Sequence, residues 1–175
     1  MNRRHTSTIP GLLLAFVLAT LSSKGQQADL ESNLKAAFLY NFTRYIDWPP
    51  DDETTFIIGI VGPSDLDDAL KEIARNNTVD NKKIVIRRFD KPEQITPCQV
   101  LFISRRVKAN LADILARTGR GELTVAEKEG AARNGIMFNF VLMGDKLKFE
   151  VNTKALNAGG LRVSSQLLRL AIVVS

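Results

Sequence analysis

Two apolar runs without alternation do most to limit the fold of this chain. They are Phe56-Ile57-Ile58-Gly59-Ile60-Val61 and the segment from Cys98 to Ile103, which ends Val100-Leu101-Phe102-Ile103. A strand covered on one face alternates apolar and polar residues. One covered on both faces is apolar throughout, as in a parallel sheet between helices. Both runs break and then change period. Gly62-Pro63-Ser64 precedes Leu66, Leu70 and Ile73, and Ser104 precedes Val107, Leu111, Ile114 and Leu115. Spacings of three and four are those of a helix with one buried face. Ser64 is placed to cap the first helix, whose first turn carries Asp65, Asp67 and Asp68 at the positive end of the dipole.

The remaining chain continues this order. Lys83 to Phe89 reads as a strand, followed by a loop with one helical turn before Cys98. Gly119-Arg120-Gly121 turns into a short strand from Glu122 to Val125, and Ala126 to Asn134 reads as a helix closed by Gly135. Ile136 to Leu142 and Lys146 to Val151 flank Met143-Gly144-Asp145 as a hairpin. Asn152 to Ala158 reads as a short helix, and LRVSSQLLRLAIVV as a terminal helix capped by Ser164 or Ser165. The expected fold is α/β: a three-layer sandwich, mostly parallel, with an antiparallel hairpin near the C-terminus. No linker or internal repeat interrupts it, so residues 26–175 are expected to form a single domain.

Five of the twelve aromatic residues lie between Phe38 and Trp48, in LKAAFLYNFTRYIDWPP. On a helix Leu34, Phe38, Phe42 and Tyr45 share one face, which is expected to be buried. Tyr40 and Arg44 fall opposite and are the candidate partner-binding residues, because tyrosine and arginine are enriched at binding hot spots. Pro49 and Pro50 are expected to stop the helix.

The first 25 residues have the order of a secretory signal peptide: a basic start with Arg3 and Arg4, the apolar run IPGLLLAFVLATL, then SSKGQQ. The run is too short to span a bilayer, which takes roughly 20 residues. Cleavage after Gly25 removes three of the 24 basic residues and none of the 19 acidic ones, so a formal charge of +5 becomes +2. That charge, with export, disfavours nucleic acid as a partner. Cleavage also removes His5, the only histidine, and with it Ser-His-Asp triads, Cys-His pairs and histidine zinc sites. No catalytic residue, metal site or cofactor is expected. The lone Cys98 cannot form an internal disulfide. It reads as a small buried hydrophobe, with an intermolecular bond as the alternative.

Gly62 and Ser64 lie between a strand and a helix, where backbone amides could hold an anion or a small ligand. A phosphoacceptor receiver domain has a similar order of elements but needs an aspartate where VLFIS offers Ser104.

KAAFLYNFTRYIDWP, CQVLFIS, GIMFNFV and LKFEVNTKALNAGGLRVSSQLLRLA together resemble the YfiR/HmsC-like family of bacterial periplasmic proteins, over about Leu34 to Ala171. The resemblance implies a non-catalytic regulator in the periplasm. Such a protein binds an inner-membrane sensor, a diguanylate cyclase in well-known members, and represses cyclic-di-GMP output and biofilm formation. It also implies relief through an outer-membrane lipoprotein, and leaves room for a homodimer. Redox-sensitive members carry two disulfides, and this chain, with one cysteine, departs from them. The alternative reading is a periplasmic small-ligand binder serving another membrane sensor, with its site at Gly62 and Ser64.

Overall fold

The structure, a computed structural model, describes residues 13–174, with side chains from Gln26 onward. The basic start of the expected export signal lies outside the described residues. In chain order the elements begin with α1 (Leu13–Thr43), β1 (Ile46–Asp47), β2 (Thr55–Val61), α2 (Asp67–Asn76), β3 (Thr78–Val79), β4 (Lys82–Phe89) and β5 (Val100–Ile103). They continue with α3 (Leu111–Leu115), β6 (Leu123–Ala126), β7 (Phe138–Met143), β8 (Lys146–Asn152), α4 (Thr153–Ala158), β9 (Arg162–Val163), α5 (Ser165–Leu168) and β10 (Ile172–Val174).

Eight strands form one sheet in the order β10-β8-β7-β6-β5-β2-β4-β3. β2 pairs in parallel with β4 and β5, β5 with β6, and β6 with β7. The antiparallel hairpin is β7–β8, with Phe140 opposite Phe149. β1 and β9 form a separate two-stranded pair. The apolar strands β2 and β5 are central, which is why they lack alternation. On one face Phe56, Ile58 and Ile60 meet Leu39 and Phe42 of α1 and Leu70 of α2. On the other, Val61, Leu101 and Ile103 meet Ile114 of α3. Helices on both faces of a mostly parallel sheet make the three-layer α/β sandwich expected from the sequence.

Three local expectations are corrected. The first concerns α1, which ends at Thr43 and not at the prolines. The Thr43 hydroxyl donates to the Tyr40 carbonyl at 2.6 Å, and the Trp48 indole donates to the Thr43 carbonyl at 2.8 Å. Trp48 thus satisfies a helix-terminal carbonyl that would otherwise lack a partner. The buried face is Ala36, Leu39 and Phe42, while Leu34 and Tyr45 are exposed and Phe38 is half-buried at its edge. The contact line runs through Ala36, Leu39 and Phe42, which leaves Leu34 and Tyr45 outside it. Phe42 then sits among Phe138, Phe140 and Phe149, with centroids 4.7 Å from Phe138 and 4.9 Å from Phe149.

The second correction concerns the segment from Ala126 to Asn134. Ala126 closes β6, and only Ala132–Asn134 form a single 3-10 turn. Gly130 at φ +69 takes a left-handed conformation that a continuous helix does not allow. The third is the C-terminal segment. α5 is one turn, capped by the Ser164 hydroxyl accepting from the Leu167 amide at 3.4 Å, and Ile172–Val174 then pair in parallel with β8 as an edge strand. Isoleucine and valine favour the pleated conformation over a helix.

Candidate functional site

The carboxyl ends of the parallel strands are where open α/β sheets usually bind ligands, at the point where strand order reverses. Here that point lies between β2 and β5. The chain leaves β2 toward β4 on one side and leaves β5 toward β6 on the other. The two loops close on each other. Gly62, at φ +84, donates its amide to the Phe89 carbonyl at 2.9 Å, and Val107 crowds the place where a Cβ on it would stand. The Ser64 hydroxyl accepts from the Leu66 amide at 3.1 Å, but α2 begins only at Asp67 with Leu66 as its N-cap and no side-chain cap, so Ser64 does not cap the helix as expected and Asp65 lies before its first turn. Buried Ser104 donates to the Pro63 carbonyl and accepts from the Arg106 amide at 3.2 Å. Arg106 reaches Asp65 at 2.6 Å. The Gly62 amide and the Ser64 hydroxyl oxygen therefore have partners within the protein, and the crevice is bridged by Pro63, Ser104, Arg106 and Asp65.

Beside this closed crevice α1 crosses the end of β6. Lys35 is only 5 % exposed. Its ammonium lies 2.5 Å from Glu31 and 2.6 Å from Glu127, just after β6. The other Glu127 oxygen accepts from the Arg105 amide at 3.3 Å. One helix is thus tied to the loops after β5 and β6 by a largely desolvated ion triad. The Glu31–Lys35 spacing of four is visible in the sequence as a helical pair. Glu127 is not, because only the fold brings it near.

A groove of about 380 Å³ runs from this triad along the β7–β8 hairpin, with Phe140, Leu142 and Leu147 on its far wall. Glu31, Lys35, Arg105, Glu127 and Glu129 line the rest of it, so the groove joins a charged side to an apolar one. Leu30 is 68 % exposed and Leu34 43 %, while Leu142 and Met143 at the hairpin tip are 56 % and 57 % exposed. Of these Leu142 lines the groove itself, while Leu30, Leu34 and Met143 are chain neighbours of its lining residues Glu31, Lys35 and Leu142. Exposed apolar residues gathered on the same two elements mark a candidate interaction surface. Spacing alone places Leu34 in the core, so the sequence does not reveal this surface.

The expected partner residues lie elsewhere on α1. Tyr40 is half-buried against the core, and its hydroxyl donates to the Thr78 carbonyl at 3.3 Å. Arg44, just past the helix end, is exposed. Cys98 is buried and free. Burial, reinforced by the nearby Glu122 carboxylate, pushes its thiol up to about 12. Among the described residues no three of His, Cys, Asp and Glu gather as a metal site, and no helix is long and apolar enough to cross a membrane.

Compared with known protein families, residues 32–172 match the model of the YfiR/HmsC-like family, a span that takes in the main sheet from β2 to β8 and reaches the start of β10.

Proposed function

The chain belongs to the YfiR/HmsC-like family, whose members are periplasmic regulators of cyclic-di-GMP signalling, and on that premise we propose that it is an exported binding protein that represses an inner-membrane sensor, a diguanylate cyclase. Residues 1–25 are the export signal in this reading, and the working protein starts at Gln26. Repression is non-catalytic. The protein binds the inactive conformation of the sensor's periplasmic region more tightly than the active one and shifts the population accordingly.

The observation that carries this reading is the solvent-open groove between α1 and the β7–β8 hairpin, with Phe140, Leu142 and Leu147 in its lining, together with the exposed side chains of Leu30, Leu34 and Met143 on the same two elements. Such side chains gain by leaving water, at roughly 25 cal/mol for each Å² buried. Rim charges at Glu31, Arg105 and Glu129 would fix the register of the partner. Arg44 supplies a second contact region at the other end of α1. An outer-membrane lipoprotein that captured the protein would relieve repression by competition, without the internal disulfides that one cysteine cannot provide.

The test is deletion in the host. Cyclic-di-GMP and matrix production should rise and return to normal with the wild-type gene, while purified protein turns over no substrate. Unchanged cyclic-di-GMP in the deletion strain would reject the cyclase as partner.

A further inference from the structure

A second cavity lies at the opposite, amino-terminal end of the sheet. It has a volume of about 400 Å³, within the range of small-molecule sites. Trp48 and Pro49 form one wall, Pro97 and Ile57 another, and two arginines enter it: Arg87 from β4 and Arg120 from the turn before β6.

The charged groups here differ in how they are satisfied. Asp51 pairs with Lys82 and accepts the Glu53 amide at 2.9 Å, and these bonds hold its carboxyl below the usual range. Glu122 is buried and accepts the Cys98 amide at 3.1 Å and the Gly119 amide at 2.8 Å. Of the three carboxylates lining the cavity, Asp51 thus has a cation partner, while Glu122 has two amide donors, which do not neutralise its charge. The arginines are seated but not neutralised. Arg87 donates to the Thr96 hydroxyl at 3.0 Å. The Arg120 guanidinium lies against Gly160, at φ +76, where a Cβ would come within 2.8 Å of its terminal nitrogen. Neither arginine is in an ion pair among the described residues.

A guanidinium presents a rigid fork that matches a carboxylate bidentately. β4 and β6 are separated by β2 and β5, so the two backbones stand on the order of 14 Å apart, and both arginines line the same cavity. We infer that this cavity binds a small organic dianion with two separated carboxylates, one held by Arg87 and the other by Arg120. Glu53, exposed at the rim, and buried Glu122 have no cation partner among the described residues, so both oppose the ligand's charge and limit affinity. The site is at the other end of the sheet from the partner groove and does not depend on the regulatory reading.

Titration calorimetry on the purified protein tests it, with succinate, glutarate and adipate as probes and acetate and inorganic phosphate as controls. At least one dicarboxylate should bind saturably below about 1 mM and at least about tenfold more tightly than acetate or phosphate. Arg87→Gln and Arg120→Gln should each weaken it about tenfold with unchanged circular dichroism. Glu53→Gln should tighten it about threefold by removing a like charge. Arg133→Gln, remote from the cavity, should leave it unchanged. No saturable binding by any of the three acids would overturn the proposal. So would equal binding of acetate or phosphate, or affinity retained in both folded arginine variants.

Discussion

The ammonium of Lys35 lies 2.6 Å from the carboxylate of Glu127, 92 positions further along the chain. This contact joins α1 to the end of β6, and Glu31 completes it from the previous turn of the helix. Removing one member of a desolvated ion pair leaves the others without compensation, which is strongly destabilising. Lys35→Ala should therefore lower unfolding free energy by about 3 kcal/mol. The triple variant Glu31→Leu, Lys35→Met and Glu127→Leu, which exchanges the whole triad for apolar side chains of similar volume, should restore most of it. Urea unfolding of the three proteins measures both effects. A loss below about 1 kcal/mol in Lys35→Ala would mean that solvent screens the triad as it does a surface pair.

Cys98 offers a prediction about alkaline pH. Its thiol titrates near 12 in the folded protein against an ordinary value of 9.0. The folded pKa is raised, so the unfolded chain loses its proton first. The contribution to stability is complete below about pH 9 and is lost as pH rises toward 12. At pH 8 the native thiolate fraction is on the order of one in ten thousand, so native protein should resist iodoacetamide while urea-unfolded protein is labelled. Cys98→Ser should fold, lose about 1–2 kcal/mol if its hydroxyl finds no partner, and flatten the alkaline fall. Rapid labelling of the native protein at pH 8 would show that the thiol is not buried in solution.

What can be read from the sequence is what depends on local pattern and continuous burial. The unalternating runs at Phe56 and Val100 predict central strands because both faces of each are covered. The hairpin is legible from Phe138, Phe140 and Phe149 around Gly144. Helix limits are not, because they are set by contacts distant in sequence. The end of α1 depends on the Trp48 indole, and the C-terminal Ile172-Val173-Val174 becomes a strand only because β8 offers an edge. The candidate groove is hidden for a similar reason. Leu34 keeps helical spacing with Phe42, but a shift of the contact line to Ala36 and Leu39 leaves it in solvent.

Gly62 is held by geometry that a side chain would break. Its φ of +84 disfavours any L-residue, and a Cβ would stand 2.9 Å from Val107 Cβ. Gly62→Ala should cost about 2 kcal/mol or more, from the left-handed backbone and the crowding together. The companion variant Gly62→Ala with Val107→Ala should recover little, because alanine keeps the Cβ and Cα that stand 2.9 and 3.0 Å away and removes only the Cγ2 at 3.2 Å. Equilibrium unfolding in urea measures both. A neutral single variant would mean that the loop after β2 relaxes freely.

At the acid end, Asp51 is held low chiefly by its hydrogen bond to Lys82 and then by the Glu53 amide. A depressed carboxylate contributes stability above its unfolded value, near 3.8, and loses it as pH falls through the lower folded value. The Asp51 side-chain carbon, followed by NMR, should titrate below 3.8 in the wild type and move upward in Lys82→Met. The same midpoint in both proteins would show that Lys82 is not what holds the carboxyl.

The regulatory reading makes a prediction that separates the two proposed contact regions. Leu142 and Met143 are more than half exposed at the tip of the hairpin, so Leu142→Asp with Met143→Asp removes no core packing and should leave the midpoint of thermal unfolding nearly unchanged. At an interface the same change places two charges where apolar side chains were to be desolvated, and a hot-spot loss of about 2 kcal/mol or more, roughly thirtyfold in affinity, is expected. A deletion strain carrying this variant should keep high cyclic-di-GMP although the protein is folded and exported. Arg44→Glu reverses a charge at the far end of α1 and tests the second region, where like-charge juxtaposition costs several kcal/mol if the partner reaches it. Tyr40 is the poorer probe, because Tyr40→Ala would also remove a half-buried ring and its bond to the Thr78 carbonyl. Full repression by the folded hairpin variant would remove the groove from the interface. Full repression by Arg44→Glu would confine the partner to the Leu30–Leu34 end of the helix.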